Sequence, residues 1–499
     1  MSCSCKFRPR PDALFLFCIA GILVIAGVAV SCSSGSNMQS AAMGAVNVSI
    51  SDPPSCKNPN GNFDHVWITL TSVQAHIDPN ATDSSSGWQE LAPQLASAPM
   101  QVDLFSSTQT NCVLAQLGSA SLPVGSYQQI RLMLLSNSPD ASAATPSTNA
   151  CAGNGYNCVE LTDQTIHQLD LSSQANTGLK IPPGQIMGGP IDVTAGQSID
   201  LNIDFNACAS IVKEGNGQYR LKPVLTAGQI SPNNSGIGGQ VVDSLTKGPI
   251  AGNVFVAVEQ PDGGGVDRIV METAADANGN FRFCPLPMGT FDVVAVAVGP
   301  NNLPYNATAV VNVPNGTNLS AIPLVAETGA TSPAILQGFV TASTASAGAT
   351  VDVSLAALQS ITFGSGTPVT RQLTIPLESI AATATGPAVP STSPISISTN
   401  TACPVGSPAK ANCAAYTLVV PGSNPSVGVF ASSGFTYSVP ATGSVPFTVD
   451  AIASVPNSGG VADCSPSEMM TSSDDKSMTL TVTAGATTNV ARIDFTGCS

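Results

Sequence analysis

Residues 191–227, IDVTAGQSIDLNIDFNACASIVKEGNGQYRLKPVLTA, carry the densest strand pattern in the chain. Within it, apolar and polar residues alternate with a period of two, which places the apolar set on one face of a strand. The apolar set is Ile199, Leu201, Ile203 and Phe205. A Gly/Asn cluster at 214–217 then predicts a turn before a second extended segment. The stretch therefore predicts a β-hairpin that closes a β-sandwich.

The opposite face of this strand is polar and carries Asp200, Asn202 and Asp204. Two carboxylates four positions apart would lie about 13 Å from each other along a strand, which is too far for the carboxyl pair of a glycosidase. We interpret this face as solvated.

Composition indicates an all-β chain of short strands and many turns. Of the 499 residues, only 9% are charged and 5% are aromatic, whereas Gly, Pro, Ser, Thr and Ala abound. The length is enough for three ordinary domains. We predict tandem antiparallel β-sandwich domains behind an N-terminal hydrophobic signal or anchor helix. The net charge of −15 argues against a nucleic-acid partner, which would need a basic face.

The N-terminus has the pattern of a bacterial export signal. Basic residues at 6–10 precede an apolar run at 13–30, and the run ends in AVSC at 29–32. This ending resembles a lipobox, with Ala29 in place of the usual leucine. We predict a signal peptide at 1–31, a lipid-bearing Cys32 and a flexible tether at 32–43. The alternative is an uncleaved membrane anchor. Either way the rest of the chain is expected outside the cytoplasm, held in the bacterial cell envelope by the membrane.

Ten cysteines follow Cys32, and an even number in an oxidising compartment predicts disulfides. Two local pairs bracket turn-like loops: Cys151 with Cys158, and Cys403 with Cys413. Cys208 and Cys284 are candidates to stay free and buried. A zinc site is not indicated, because no CxxC motif follows Cys32.

Three strings together resemble a bacterial family of unknown function found on secreted or lipid-anchored proteins. They are FDHVWITL at 63–70, LPVGSYQQIRL at 122–132 and YRLKPVL at 219–225. The family is the domain-of-unknown-function family four-three-eight-two, and the similarity covers a domain at 44–228. It implies a fold and a location but no catalytic residue. A linker is predicted at 229–236.

Residues 237–328 resemble the carboxypeptidase regulatory-like domain, a small prealbumin-like and carbohydrate-binding-like sandwich. The resemblance rests on DANGNF at 276–281 and LPMGTF at 286–291. It implies an accessory binding or spacer unit. A Ser/Thr/Ala-rich β domain is predicted at 333–499. Its ending, VTAG with IDFTGC at 493–498, echoes VTAG with IDFNAC at 203–208, either as a repeat or by convergence on similar strand chemistry.

No catalytic, metal or cofactor site stands out. The three histidines are dispersed, and no nucleophile elbow or phosphate-binding loop is present. Asp276 begins a turn with oxygen ligands spaced like a calcium loop, but position twelve of that loop is Pro287. We interpret the segment as a hairpin turn.

Phe63 and Trp67 are the candidate ligand-contacting aromatics. Alternation places Trp67 opposite Val66 and Ile68, together with Phe63. If that face is open, both rings could stack on a sugar; if it is covered, they belong to the core, which we favour.

Three functions follow from these patterns. The first is a non-enzymatic envelope lipoprotein that binds a glycan or protein partner as a surface or adhesion module. The second is a purely structural spacer without a specific ligand. The third, a hydrolase with scattered carboxylates, has the least support, and we predict that the chain is not an enzyme.

Overall fold

The computed structural model describes residues 42–498, with gaps at 53–62, 83, 107–114, 172–177, 182–184, 214–216, 222–223, 231–235, 263, 288, 328, 345–350, 365–366, 377–394, 398–402, 404, 408–410, 455–463, 465, 467 and 472–479. The predicted signal peptide and Cys32 lie outside these residues. Strands dominate the described part, which confirms the all-β class. Helical structure there is limited to short segments: α1 (Ala207–Ser210) and the 3-10 turns Pro93–Ala96, Leu104–Ser106 and Pro300–Asn302. None of these has the length or the apolar composition of a membrane span.

The first region, residues 42–230, packs two main sheets over one apolar core. Its strands are β1 (Met43–Ser51), β2 (Phe63–His76), β3 (Gln89–Glu90), β4 (Met100–Asp103), β5 (Ala115–Pro123), β6 (Gly125–Tyr127), β7 (Gln129–Leu134), β8 (Cys158–Leu161), β9 (Ile166–Leu171), β10 (Leu179–Ile181), β11 (Ile186–Met187), β12 (Ile191–Val193), β13 (Ser198–Phe205), β14 (Ile211–Lys213), β15 (Tyr219–Leu221) and β16 (Leu225–Gln229). One sheet has the order β11-β16-β13-β1-β5, and the other runs β10-β7-β2-β8-β9-β15-β14 with β3 and β4 added beside β2.

The stretch at 191–227 crosses between these two sheets. Strand β13 pairs parallel with β1 and antiparallel with β16, whereas β14 and β15 form a hairpin in the opposite sheet. Residues 214–216 of the predicted turn lie outside the described residues, and the strands on either side of them are β14 and β15, so β13 is not the first strand of this hairpin. The stretch therefore closes the sandwich by contributing strands to both sheets.

The polar face of β13 is buried from Asn202 onward and only half-buried at Asp200, so its interpretation as a solvated face is wrong for Asn202 and Asp204. Asn202 and Asp204 are both buried, and they border a small cavity that Met271 and Pro287 of the following region also line. Burial raises the pKa of Asp204 to about 7, although the Ser51 hydroxyl donates a hydrogen bond to its carboxylate. A neighbouring region covers this face, and strand alternation alone gives no information about such a cover.

The remaining strands form two regions, residues 237–328 and 333–498. Those of the second region are β17 (Ile237–Asp243), β18 (Asn253–Pro261), β19 (Val266–Ala274), β20 (Asn280–Phe283), β21 (Thr290–Val298), β22 (Thr308–Pro314) and β23 (Ile322–Leu324). Those of the third region are β24 (Ala334–Thr344), β25 (Val351–Phe363), β26 (Val369–Thr374), β27 (Ile395–Ile397), β28 (Ala411–Val420), β29 (Ser426–Val429), β30 (Val445–Ser454), β31 (Glu468–Met470), β32 (Leu480–Val482), β33 (Thr487–Asn489) and β34 (Ile493–Cys498).

The second and third regions share one sheet. Its main path is β29-β22-β21-β18-β19-β26-β25-β30-β31, in an eleven-stranded sheet that also includes β27 and β32. Strands of the third region thus extend both edges of the second: β29 pairs parallel with β22, and β26 pairs parallel with β19. We name these two pairings the seam. The predicted domain boundaries stay predictions, because residues 42–499 form a single compact unit.

The middle of the shared sheet, at β21, is buried on both faces. In β21, Val293 and Ala295 pack into the core of the second region, whereas Val294 and Val296 pack into a core formed mainly by the third. This explains why β21 has a continuous apolar run, since a strand covered on both sides needs apolar residues at every position.

The last strand of the third region repeats a strand pairing of the first region. Strand β34 pairs parallel with β24, the first strand of its region, as β13 does with β1. In both places an Ile-Asp-Phe string supplies the acceptor: Thr341 donates its hydroxyl hydrogen to Asp494 over 2.6 Å, and Ser51 donates to Asp204 over 3.0 Å. This correspondence supports the repeat over convergence.

The segment beginning at Asp276 is a turn, as predicted. The Asp276 carboxylate accepts hydrogen bonds from the backbone N–H groups of Asn278 and Asn280, both at 2.8 Å. Gly279 has φ +79°, a backbone conformation that suits glycine. The oxygens that resembled calcium ligands thus hold the turn.

Candidate functional site

Phe63 does not share a face with Trp67, so this part of the prediction is wrong. Strand β2 pairs Val66 with Val159 and Phe63 with Leu161, and its register shifts between residues 63 and 65. Because Val159 and Leu161 are two positions apart on β8, Phe63 returns to the face of Val66 and packs against the core. The rings that pack edge-on against it are those of Phe105 and Tyr219. The apolar pattern of β2 shifts by one residue between Leu70 and Val73, which predicts a β-bulge. A second register shift, between Leu70 and Ser72, confirms this prediction.

Trp67 is half-buried on the opposite face of β2, where it stacks on His65 with ring centroids 5.6 Å apart. Nδ1 of His65 lies 2.7 Å from a carboxylate oxygen of Asp103, whose side chain is only 7% exposed. The other oxygen of Asp103 accepts hydrogen bonds from the backbone N–H groups of Val66 and Phe105. A carboxylate held this firmly fixes the orientation of the imidazole ring. His65 and Trp67 therefore form a small, ordered aromatic patch.

Trp88, the other tryptophan, stabilises the fold. The Arg131 guanidinium carbon lies 4.0 Å from the centroid of its ring, and His76 packs against it at 5.1 Å. Its indole N–H donates a hydrogen bond to the Thr82 carbonyl. With these contacts Trp88 is poorly suited to stack on a ligand.

Asn157 is a fully buried amide that completes the sheet beside the aromatic patch. Its Oδ1 accepts from the Thr69 backbone N–H at 2.9 Å, and its Nδ2 donates to the Leu135 carbonyl at 2.8 Å and to Oδ1 of Asn137 at 3.0 Å. Along this edge, β2 pairs with β8 up to Trp67 and with β7 from Leu70. The Asn157 side chain thus takes the place of a backbone ladder where β2 changes partners.

The structure joins both predicted cysteine pairs and adds a distant one. The bonds are Cys151–Cys158 with S–S 2.06 Å, Cys403–Cys413 with 1.90 Å and Cys464–Cys498 with 2.05 Å. The last pair spans 34 residues and ties the third region's final strand back to an earlier segment. Cys284 is also disulfide-bonded, so the expectation of a free thiol there is wrong.

A cluster of carboxyl groups lies at the seam. Glu259 on β18, Asp267 on β19 and Asp292 on β21 are all buried on one face of the shared sheet, and Arg371 of β26 forms an ion pair with Asp292. The register places Glu259 directly opposite Asp292, where like charges repel. We name Glu259, Asp267, Asp292 and Arg371 the carboxyl cluster. Sequence alternation gave no sign of it, because its members lie on four different strands.

A second charged group joins the same two regions. Arg268 of β19 forms ion pairs with Asp450 of β30 and Glu468 of β31, and with Asp262 at 3.0 Å. Asp450 is only 1% exposed, whereas Arg268 and its other partners are partly exposed. The Arg268–Asp450 contact joins residues 182 positions apart, so only the folded chain brings them together.

A cavity of about 430 Å³ lies between the second and third regions, lined in part by Asn306, Glu327, Ser423 and Pro440. Burial raises the pKa of Glu327, and the Ser423 hydroxyl donates a hydrogen bond to its carboxylate over 2.6 Å. This hydrogen bond ties two parts of the chain 96 positions apart, which gives Glu327 a structural role.

Within the described ranges, no group of three or more His, Cys, Asp and Glu side chains is arranged to hold a metal ion. His65, His76 and His167 each pack against a different aromatic ring. The histidines therefore serve in ring contacts.

Residues 43–223 match the family model described as Domain of unknown function (DUF4382). This confirms the family resemblance predicted for 44–228. The match covers the first region up to residue 223, including the aromatic patch and Asn157. The carboxypeptidase regulatory-like resemblance of the second region stays a prediction. Comparison with curated protein sequences found no match.

Several solved structures are similar to parts of the chain at low identity. The Bacillus anthracis TIE protein is 9% identical, with 91% of this chain and 50% of that one aligned and a TM-score of 0.15. The chain therefore spans half the length of that protein. The shaft pilin SpaA from Lactobacillus rhamnosus GG is 10% identical over 57% of this chain and 98% of that one, with a TM-score of 0.17. A Streptococcal ancillary pilin is 10% identical over 80% and 96%, with a TM-score of 0.15.

Proposed function

We propose that the chain is a non-enzymatic lipoprotein of the bacterial cell envelope, exposed outside the cytoplasm, that acts as a structural or adhesion module. Support comes from the export signal and lipobox-like ending at 29–32, the all-β fold and the disulfides of the described residues. Several titratable groups of the described residues, such as Asp103, Glu327 and Asp494, take part in structural contacts.

The shared sheet is the observation that carries this proposal. Two regions joined only by a linker would hinge, because interfaces between domains of one chain are usually small and polar. Here strand pairing at both edges, a common core and buried ion pairs connect the second and third regions. Such a connection suits a stiff structural element at the cell surface. It argues against domains that move freely relative to one another.

Lipid anchoring is tested by changing the predicted acceptor. Cys32→Ala should abolish labelling of the protein by radioactive palmitate and release it from the membrane fraction of a bacterial host, because the mutant lacks the thiol that carries the lipid. Cys18→Ala, in the apolar run of the same signal, is the matched control and should label normally. A Cys32→Ala protein that stays in the membrane fraction would show that residues 13–30 act as an uncleaved anchor.

A ligand-binding role for the aromatic patch is the second candidate function. The half-buried Trp67, stacked on an imidazole that Asp103 orients, is the observation that favours it. Rings and oriented polar groups of this kind bind sugars by stacking and hydrogen bonding. We expect the mature chain to be retained on a glycan array or on cell-wall material, and Trp67→Ala to lower that retention at least tenfold. Retention by no glycan and no cell-wall fraction would leave the structural function alone.

A further inference from the structure

The carboxyl cluster has more acidic groups than its one cation can balance. If all were ionised, three buried negative charges would face the single positive charge of Arg371. Arg371 is committed to Asp292 and also donates a hydrogen bond to Asn312. Both carboxyl oxygens of Asp267 are buried and accept no hydrogen bond from a cationic or amide donor of the described residues, and the side chain that Asp267 faces is the carboxyl group of Asp292. Burying an unpaired carboxylate is strongly unfavourable, so the cluster must retain protons.

Among the residues that the structure describes, no other nearby group corrects this imbalance. The further charged groups around the cluster are Asp262 in the turn before β19, Glu272 on β19, and Arg268 with its partners Asp450 and Glu468. Arg268 is the second cation at the seam, and it already contacts three carboxylates. The seam as a whole is therefore rich in acid and short of cations.

Two of these carboxyl groups, Glu259 and Asp292, make polar contacts across the seam, and Asp267 takes part in the seam through its backbone. Glu259 accepts a hydrogen bond from the Thr374 backbone N–H over 3.2 Å, and Asp292 is paired with Arg371. The Thr374 hydroxyl donates to the Asp267 carbonyl over 2.7 Å. Asp267 itself pairs with Leu373 at the short β19–β26 junction. A change in the ionisation of Glu259 or Asp267 therefore acts on the contact between the two regions.

We propose that the seam is a proton-dependent contact, which is tightest in acid and becomes easier to open as the pH rises. Opening admits water to the carboxyl cluster, and the carboxyl groups then release the protons that burial had retained. In an alkaline medium this release is favourable, and the population of the open form increases. In an acidic medium it is unfavourable and the two regions stay joined. This inference rests on the proposed function and adds to it that the stiffness of the connection depends on pH.

The direction of the pKa shifts agrees with this geometry. Burial, followed by the neighbouring Asp292, raises the pKa of Asp267 to about 8, and burial raises the pKa of Glu259 well above its ordinary value. A group with a raised pKa in the closed form gives its full stabilisation below its ordinary pKa, near 3.8 for Asp267, and loses it as the pH rises to about 8. The opening constant therefore increases between these two values, by at most about tenfold per pH unit for one proton.

Hydrogen–deuterium exchange of the mature chain, read by mass spectrometry in peptides covering β19 and β26, tests the proposal. The wild-type chain is compared with Asp267→Asn at each pH, so that the chemical pH dependence of exchange cancels in the ratio. The ratio of the exchange rate of the wild-type seam peptides to that of the mutant peptides should rise with pH. We expect it to rise severalfold per pH unit between pH 5 and pH 7 and to level off above pH 8. Equal pH dependence in the two proteins would overturn the proposal.

Two further variants separate the cluster from general effects. Glu259→Gln removes a second proton site at the seam and should also flatten the pH dependence, which gives an independent test if Asp267→Asn folds poorly. Asp52→Asn removes a buried carboxyl with a raised pKa in the first region, away from the cavity that β19 lines. It should leave the seam ratio unchanged, and a seam ratio that follows Asp52→Asn would count against the proposal.

Discussion

Replacing Arg268 with methionine is expected to lower the free energy of unfolding by about 3 kcal/mol. Arg268 is the cation paired with Asp450, which is 1% exposed and comes from the other side of the seam. Methionine preserves much of the apolar stem but leaves Asp450 as a buried carboxylate without its cation. Breaking a buried pair from one side costs about 3–5 kcal/mol, and the 28% exposure of Arg268 favours the low end. Urea unfolding at neutral pH measures the change.

Arg492→Met is the matched control for this prediction. Arg492 also pairs with an aspartate, but it is 25% exposed and its partner Asp494 is 29% exposed. Water replaces such a partner readily, so the loss should stay below about 1 kcal/mol. The double variant Arg268→Met with Asp450→Asn removes both charges and should recover part of the loss. Similar losses for Arg268→Met and Arg492→Met would show that the Asp450 pair contributes little.

Asn157→Ala is expected to lower the stability of the chain by about 3 kcal/mol. The mutation removes the acceptor for the Thr69 N–H and the donor for the Leu135 carbonyl, both in the interior of the first region. Each buried group left without a partner costs about 1–3 kcal/mol. Thermal unfolding followed by circular dichroism, with urea unfolding for the free energy, measures the loss.

Asn149→Ala provides a control of the same residue type. Its amide donates to the Gly155 carbonyl over 2.9 Å and accepts from the Cys151 N–H over 3.0 Å, but the residue is exposed. Water can satisfy the same groups after the mutation, so a loss below about 1 kcal/mol is expected. If both asparagine variants lose the same stability, the Asn157 amide does not replace the missing ladder.

One sequence feature of the shared sheet, a continuous apolar run, is not detected by looking for alternation. Strand β21 contains Val293 to Val298, an apolar run without polar interruption. A sandwich strand with one solvated face should alternate, whereas a continuous run is typical of a strand covered on both faces. This run could have indicated that the second region has a neighbour on its outer side. The identity of that neighbour could not be read, because β29 and β26 come from segments far along the chain.

Local patterns predicted the all-β class, the bulge within β2 and the turn at Asp276, since each depends on residues close in sequence. Features that depend on distant partners were missed or misplaced. Asp204 has the alternation of a solvated face, yet the following region covers it. Phe63 moved to the core face because β2 has a register shift near its start, where the apolar pattern is too short to reveal one. Asn157 lies in a loop-like sequence without a distinguishing pattern. Its role in replacing backbone pairing becomes visible only in the fold, where β7, β2 and β8 meet.

Native-state hydrogen exchange of the mature chain at pH 5, in increasing urea, shows which strands open together. If the second and third regions are one body, peptides from β18, β19, β21 and β22 should merge with those from β25, β26 and β29 into a single opening with one free energy and one urea dependence. Opening of the third-region strands at lower urea, while the second-region strands keep full protection, would show that the two regions are separate bodies.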